Sequence, residues 1–158
     1  MRNKNILMYQ ERIGCTIDAL AKEIENIASR VTPNPIVTFR MKNSKTLQRK
    51  MVLLQVKSVF LIHDVYGIRI IVKSVEEAYM VLSEVSRVLP GQLTLDYFKK
   101  PKKVLPAGSK TIQFLKFVAF RNDALFEIQI TTKGRHVVNE AQHEQYHRKK
   151  YSQIKPAV

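Results

Sequence analysis

The sequence predicts an α+β fold, a mixed α/β arrangement in which helices pack on a central mixed sheet of about five strands. Two observations predict it. Apolar residues alternate along the chain between helical spacing and strand-like runs, in the order α-β-α-β-α-β-β-β-α. Turn-forming clusters punctuate that order at Thr32-Pro-Asn-Pro35, Pro90-Gly91 and Arg121-Asn-Asp-Ala124. With 158 residues the chain is expected to form one domain, residues 1–158, since domains usually hold roughly 100–200 residues.

Ile13, Ile17, Leu20, Ile24 and Ile27 form one apolar stripe and predict a helix over residues 9–31. The prolines after it end that helix. Ile36 to Phe39 is a short β-prone run. Asn43 or Ser44 can cap a second helix reaching about Lys57, with Leu47, Met51 and Leu54 as its stripe. Gly67 to Val72 reads as a buried strand. Ser74 is a candidate N-cap, and Glu76 and Glu77 suit the positive end of the helix that follows to Val88. Leu93 to Tyr97 predicts a short strand, and 98–109 a basic loop. Thr111–Phe120 and Leu125–Thr131 predict a hairpin, with Phe126, Ile128 and Ile130 on one face and Glu127, Gln129 and Thr131 on the other. A last helix is expected from Gly134 to Tyr151.

Composition narrows the function. Apolar residues are 45% and charged residues 25%, which excludes a disordered chain and a coiled coil. The single cysteine, Cys15, excludes an internal disulfide and a multi-cysteine zinc site. No apolar run is long enough for a signal peptide or a membrane span. The expectation is a cytoplasmic protein with no membrane contact. The net charge of +14, from 27 basic and 13 acidic residues, points to a polyanionic partner. The excess is uneven. Residues 32–58 hold six basic and no acidic groups, and residues 99–121 hold seven and none. Brought together, these segments would form a phosphate-binding surface.

Two acids stand out against that background. Asp64 lies just before a buried strand that carries Arg69. Glu127 lies at the centre of the apolar run Phe126–Ile130, where a carboxylate must face a polar cleft or bind something. On neighbouring strands the pair could share a magnesium ion, which takes one or two carboxylates plus substrate phosphates. His63-Asp64 spells the HD of phosphohydrolases by coincidence, since no other histidine precedes His136. His136, His143 and His147 lie roughly along one helix face, the last pair at i, i+4, and without a third ligand an exposed polar face rather than a zinc site is the expectation.

Four blocks resemble the synthetase domain of the RelA/SpoT family, the GTP pyrophosphokinases that make guanosine tetra- and pentaphosphate. Arg40-Met-Lys42, Thr46 and Lys50 resemble R-x-K-x-x-x-S-x-x-x-K, which binds the phosphates of the ATP donor. Asp64-Val-Tyr-Gly-Ile-Arg69 resembles D-x-x-G-x-R, whose Asp binds magnesium. Asp96-Tyr97 with Pro101-Lys102 resembles the D-Y-x-x-x-P-K block that opens the acceptor loop. Glu127-Ile-Gln129 resembles the E-x-Q-x-R strand, whose Glu is the second catalytic carboxylate. His143 and Tyr146 echo the family's last helix. The resemblance covers residues 36–151 and implies a nucleotidyltransferase-like fold.

The implied activity is transfer of the β,γ-diphosphate of ATP to a ribose 3′-hydroxyl, with GDP or GTP as default acceptor and Mg2+ as cofactor. Asp64 and Glu127 are the implied catalytic and metal-binding residues. Arg40, Lys42, Thr46, Lys50 and Arg69 are implied for the donor, and Tyr97, Lys102, Lys110 and Gln129 for the acceptor. Departures gather on the acceptor side. In the family's G-Y-x-S-x-H segment, Ser109 stands for the guanine-stacking Tyr, Thr111 for the Ser and Gln113 for the His. Thr131 stands for the Arg of E-x-Q-x-R. Ser109 cannot stack on a base, a contact worth about 1–3 kcal/mol. Alternative readings are pyrophosphorylation of the 3′ end of tRNA, which the basic charge suits, and a degenerate module that binds nucleotide or RNA without turnover. The C-terminal oligomerisation helices usual in stand-alone members are expected to be absent. Oligomerisation by other means and an antitoxin partner stay open.

Overall fold

The computed structural model describes residues 2–62, 64–102 and 111–152. The elements follow the expected order: α1 (Arg2–Val31), β1 (Ile36–Met41), α2 (Ser44–Leu53), β2 (Tyr66–Val72), α3 (Val75–Val88), β3 (Gly91–Asp96), β4 (Leu115–Arg121), β5 (Ala124–Thr132) and α4 (Lys133–Ser152). A single 3-10 turn at Val59–Leu61, which the sequence patterning did not reveal, leads into β2.

The five strands form one mixed sheet in the order β1-β2-β5-β4-β3. β2 and β5 run parallel, and the other neighbouring pairs are antiparallel. Registers align the two faces of the sheet. Tyr66, Ile68 and Ile70 lie beside Phe126, Ile128 and Ile130, which lie beside Ala119, Phe117 and Leu115. This apolar face meets the Ile and Leu stripe of α1 and Ala78, Val81 and Val85 of α3 in one core cluster. The alternate positions, Arg40, Arg69, Glu127, Gln129 and Lys116, face the other way. α4 packs over that side, against β5 and β2.

Local chemistry explains the boundaries. Asn43 caps α2, its side-chain oxygen accepting from the Thr46 N–H at 2.8 Å. The helix stops at Leu53, short of the expected Lys57. Gln55 takes a left-handed φ of 53°. Its N–H donates to Val52 O at 3.1 Å while the Val56 N–H reaches Met51 O at 3.0 Å, a Schellman ending. Leu54 is therefore exposed rather than part of the buried stripe. Ser74 caps α3 by accepting from the Glu77 N–H at 3.1 Å. The Glu77 carboxylate accepts from the Lys73 N–H at 2.9 Å and the Thr32 hydroxyl at 2.6 Å, tying the end of α1 to the start of α3. These bonds hold its carboxyl below the ordinary glutamate range.

The β4–β5 hairpin turns on Asn122 and Asp123, both with positive φ, 51° and 59°, the primed turn that matches strand twist. β3 starts at Gly91, where a Cβ would lie 2.6 Å from the Phe117 ring, so a side chain there is excluded. β4 begins at Leu115 rather than at Thr111. Upstream, Ile112 forms an isolated bridge with Lys102 instead.

Candidate active site

A cleft of about 200 Å³ opens on the polar side of the sheet. Its lining draws on segments far apart in sequence. β1 supplies Arg40, and Lys42 follows it, its N–H donating to Val65 O at 2.9 Å so that the chain still follows β2. α2 supplies Lys50, and β2 supplies Arg69 with Asp64 just ahead of it. β4 and β5 supply Lys116, Glu127, Gln129 and Thr131, while Tyr97 and Lys102 close the far side. Of the expected site residues, Thr46 is not in the lining. It sits in the first turn of α2 as the partner of the Asn43 cap. Lys110, Ser109, His63 and the side chains of His143, Tyr146 and His147 lie outside the described residues.

Asp64 pairs with two lysines rather than with Arg69. Lys42 Nζ lies 2.9 Å from Oδ2, and Lys50 Nζ bonds Oδ1. Burial pushes the Asp64 carboxyl up, but the Lys50 hydrogen bond and the charge and hydrogen bond of Lys42 outweigh it and bring it down to about 2. Lys42 is shifted downward, chiefly by burial, against the pull of Asp64 and with the repulsion of Arg40 and Lys50.

Glu127 is only 5% exposed. Strand alternation turns it into the cleft, where Lys116 Nζ lies 2.8 Å from Oε2 and Gln129 Nε2 donates to Oε1 at 2.6 Å. The other end of the Gln129 amide accepts from Arg69 at 3.2 Å. Arg69 also pairs with Glu140 of α4 at 2.5 Å. A continuous polar chain thus runs from Glu140 through Arg69 and Gln129 to Glu127. In this state Gln129, expected at the acceptor, spends its amide on Glu127 and Arg69.

The opposite wall is aromatic and apolar. Tyr97 and Phe114 meet edge to face, with centroids 5.1 Å apart, and Leu95 and Ile112 extend the surface. The Tyr97 N–H donates to Phe114 O at 3.0 Å. Asp96, the acid of the same motif, is not in the cleft lining. It accepts from the Tyr79 hydroxyl at 3.0 and 2.8 Å and from the Lys99 N–H at 3.0 Å, anchoring the turn to α3. Burial and the Asp96 carboxylate push the Tyr79 phenol up to about 12. Thr131 is 2% exposed, and its hydroxyl donates to Gln113 O at 3.0 Å. Gln113, expected in the place of the family's His, is not in the lining, and its Oε1 is buried without a partner among the described residues.

Lys116, Phe114, Asn139 and Glu140 line the cleft and were missed in the sequence. Lys116 carried a signal: a lone cation inside an apolar strand, on the face that Glu127 uses. Asn139 and Glu140 carried none, because nothing local marks which turn of α4 meets the sheet.

Sheet and cleft define a class: an α+β protein with a cation-rich cleft holding two carboxylates on the polar face of a mixed sheet. The chain belongs to the RelA/SpoT family, since residues 39–152 match the region found in RelA / SpoT proteins. Solved structures share the fold. Small alarmone synthetase 1 from Bacillus subtilis superposes with a TM-score of 0.74 at 18% identity, covering 94% of this chain and 81% of that one. The same enzyme bound to its product pppGpp gives 0.75 at 18% identity, with coverage of 97% and 84%. A GTP pyrophosphokinase family protein from Streptococcus pneumoniae gives 0.65 at 19% identity, with coverage of 95% and 81%. Among curated proteins none matches the sequence. No helix among the described residues is long and apolar enough to cross a membrane.

Proposed function

We propose that this chain is an ATP-dependent pyrophosphotransferase, with GDP or GTP as the default acceptor. One observation carries the reading. Arg40, Lys42, Lys50 and Arg69, the implied donor cations, share a single cleft with Asp64 and Glu127. Family membership and the small alarmone synthetase fold support the same chemistry. The acceptor 3′-oxygen forms a bond to the β-phosphorus of ATP. The bond from that phosphorus to the α,β-bridging oxygen breaks, its electron pair leaves with AMP, and Glu127 takes the hydroxyl proton. The four cations hold donor phosphate oxygens and stabilise the charge that builds up on them during transfer.

The residues present suit magnesium. Asp64 and Glu127 are oxygen donors in one cleft, and Asp64 already holds two lysine ammonium groups and Glu127 one, so both positions call for positive charge. No group of three or more His, Cys, Asp or Glu lies together among the described residues. A hard cation held by one or two carboxylates with nucleotide phosphates needs none. Asp64 and Glu127 would hold it, and its charge would offset that of the phosphates. Tyr97, with Phe114 behind it, offers the base of the acceptor a stacking face, and Lys102 offers a cation beside it.

The test is incubation with γ-labelled ATP and magnesium, with GDP, GTP and total tRNA offered in parallel. Label on GDP or GTP, with AMP released, is the expected result. Label on tRNA alone would move the acceptor to RNA. No label on any acceptor, with wild type and Glu127→Gln alike, would refute the transferase reading.

A further inference from the structure

We infer that Asn139 is a positioning residue for the acceptor side of the cleft, an inference that rests on the transferase reading. The β4–β5 ladder begins at Leu115 and Ile130. Two residues upstream of β4, the Gln113 backbone has left the ladder, yet both its polar groups must be satisfied. Asn139 of α4 satisfies both. Its Oδ1 accepts from the Gln113 N–H at 3.0 Å, and its Nδ2 donates to Gln113 O at 2.9 Å. The side-chain amide thus stands in for a missing strand neighbour. The network sets its orientation, because a flipped amide would oppose like groups.

Thr131 completes the cluster. Its hydroxyl donates to the same Gln113 carbonyl, and Asn139 Nδ2 reaches that hydroxyl at 3.2 Å. Asn139 is 8% exposed and Thr131 2%, so losing these bonds would strand buried groups rather than return them to water. Two positions where this chain departs from the family pattern, Gln113 and Thr131, are therefore members of one buried cluster, closed by a residue outside any motif.

The cluster sets what faces the acceptor. Ile112 and Phe114 flank Gln113 and line the cleft, while Gln113 itself turns to α4. Phe114 carries the Tyr97 ring and accepts the Tyr97 N–H. Ile112 exchanges both backbone bonds with Lys102, at 3.1 and 2.9 Å. Splinting Gln113 thus holds Tyr97, Phe114 and Lys102 in register at the stem of the acceptor loop. The wall that results is neutral where the family pattern has an arginine. Acceptor recognition here leans on the base, packed against an aromatic pair, more than on a cation at position 131.

Asn139→Leu removes all three bonds while keeping the γ-branched shape, and Asn139→Asp keeps the acceptor but loses the donor. With GDP or GTP as acceptor, the leucine variant should raise the acceptor KM about tenfold or more, as loss of these hydrogen bonds implies. The aspartate variant sets a buried carboxylate oxygen against the Gln113 carbonyl and should raise the acceptor KM at least as much. The KM for ATP and the affinity for a non-hydrolysable ATP analogue should stay within about twofold, since Asn139 bonds to Gln113 and Thr131 whereas the donor cations sit on β1, α2 and β2 and just after β1. Amide hydrogen exchange at residues 112–114 should quicken in the leucine variant while residues 126–130 of β5 hold.

Equal losses for donor and acceptor would overturn the inference, as would unchanged exchange at Gln113. A wild-type chain that binds the ATP analogue but neither GDP nor GTP would defeat the acceptor role together with the function reading. The exchange result would still judge the splint by itself.

Discussion

Replacing Asp64 by asparagine removes one charge at nearly constant volume and isolates what the lysine pairs contribute. The folded carboxyl sits at about 2 against an ordinary 3.8. Almost two pH units at ~1.4 kcal/mol each give ~2.5 kcal/mol. The side chain keeps 18% of its surface in water, so solvent screening brings the expected contribution to about 1–2 kcal/mol. The folded value lies below the unfolded one. The contribution is therefore fully present above about pH 4 and is lost as the pH falls through about 2. Urea melts at pH 7 should show Asp64→Asn weaker by about 1–2 kcal/mol, or about 2–8 °C in Tm for a chain of this size. By about pH 2.5 the gap should shrink to roughly a third. Magnesium with a non-hydrolysable ATP analogue should stabilise the wild type by about 2.7 kcal/mol at a hundredfold excess over Kd, and the variant far less. A variant as stable as wild type at pH 7, or a gap as wide at pH 2.5 as at pH 7, would refute the electrostatic account of this corner.

Glu127→Gln should cut AMP formation about 10²–10⁴-fold, the usual value of a positioned base. It should also cost about 1–3 kcal/mol in a melt by leaving Lys116 without its charged partner; activity within threefold of wild type would remove Glu127 from the chemistry. Tyr97→Ala should raise the acceptor KM about 5–100-fold through lost stacking and leave the ATP KM alone. Parallel changes in both would make Tyr97 a packing residue only. Tyr79→Phe should lose about 1–2 kcal/mol at pH 7, since its hydroxyl bonds a carboxylate. The raised phenol gives this difference its sign: full below about pH 10, closing as the pH climbs toward 12. A melt series in which the gap widens with pH would contradict it.

Much of this molecule was legible before any coordinates. The α1 stripe, the Ser74 cap and the Asn122-Asp123 turn are local signals, each satisfied within a few residues of itself, and all three stand as expected. The alternation through Phe126–Ile130 showed in advance which face of β5 carries Glu127 and Gln129. The end of α2 was less legible, because the left-handed turn at Gln55 has no glycine to announce it. Thr46 matched a motif position yet serves the helix cap. Gln129 matched another, yet its amide bridges Glu127 and Arg69.

The chain itself dictates which residues are apolar at strand or helix period, and hence which side of each element must be hidden. It also dictates where cations lie with no nearby acid. These are properties of neighbours in sequence, so burial and solvation settle them locally. Which distant residues meet is another matter. β5 inserts between β2 and β4, and its parallel register sets Gly67 beside Glu127 and Arg69 beside Gln129. A slip of one residue would send every one of these side chains to the opposite face. The lysines on Asp64 depend on the pairing of β1 with β2 and on where α2 packs, while the amide on Gln113 and the chain from Glu140 to Glu127 depend on the β5 register and on where α4 comes to rest. Contacts between residues far apart along the chain form only when the whole core closes, and so they belong to the tertiary structure.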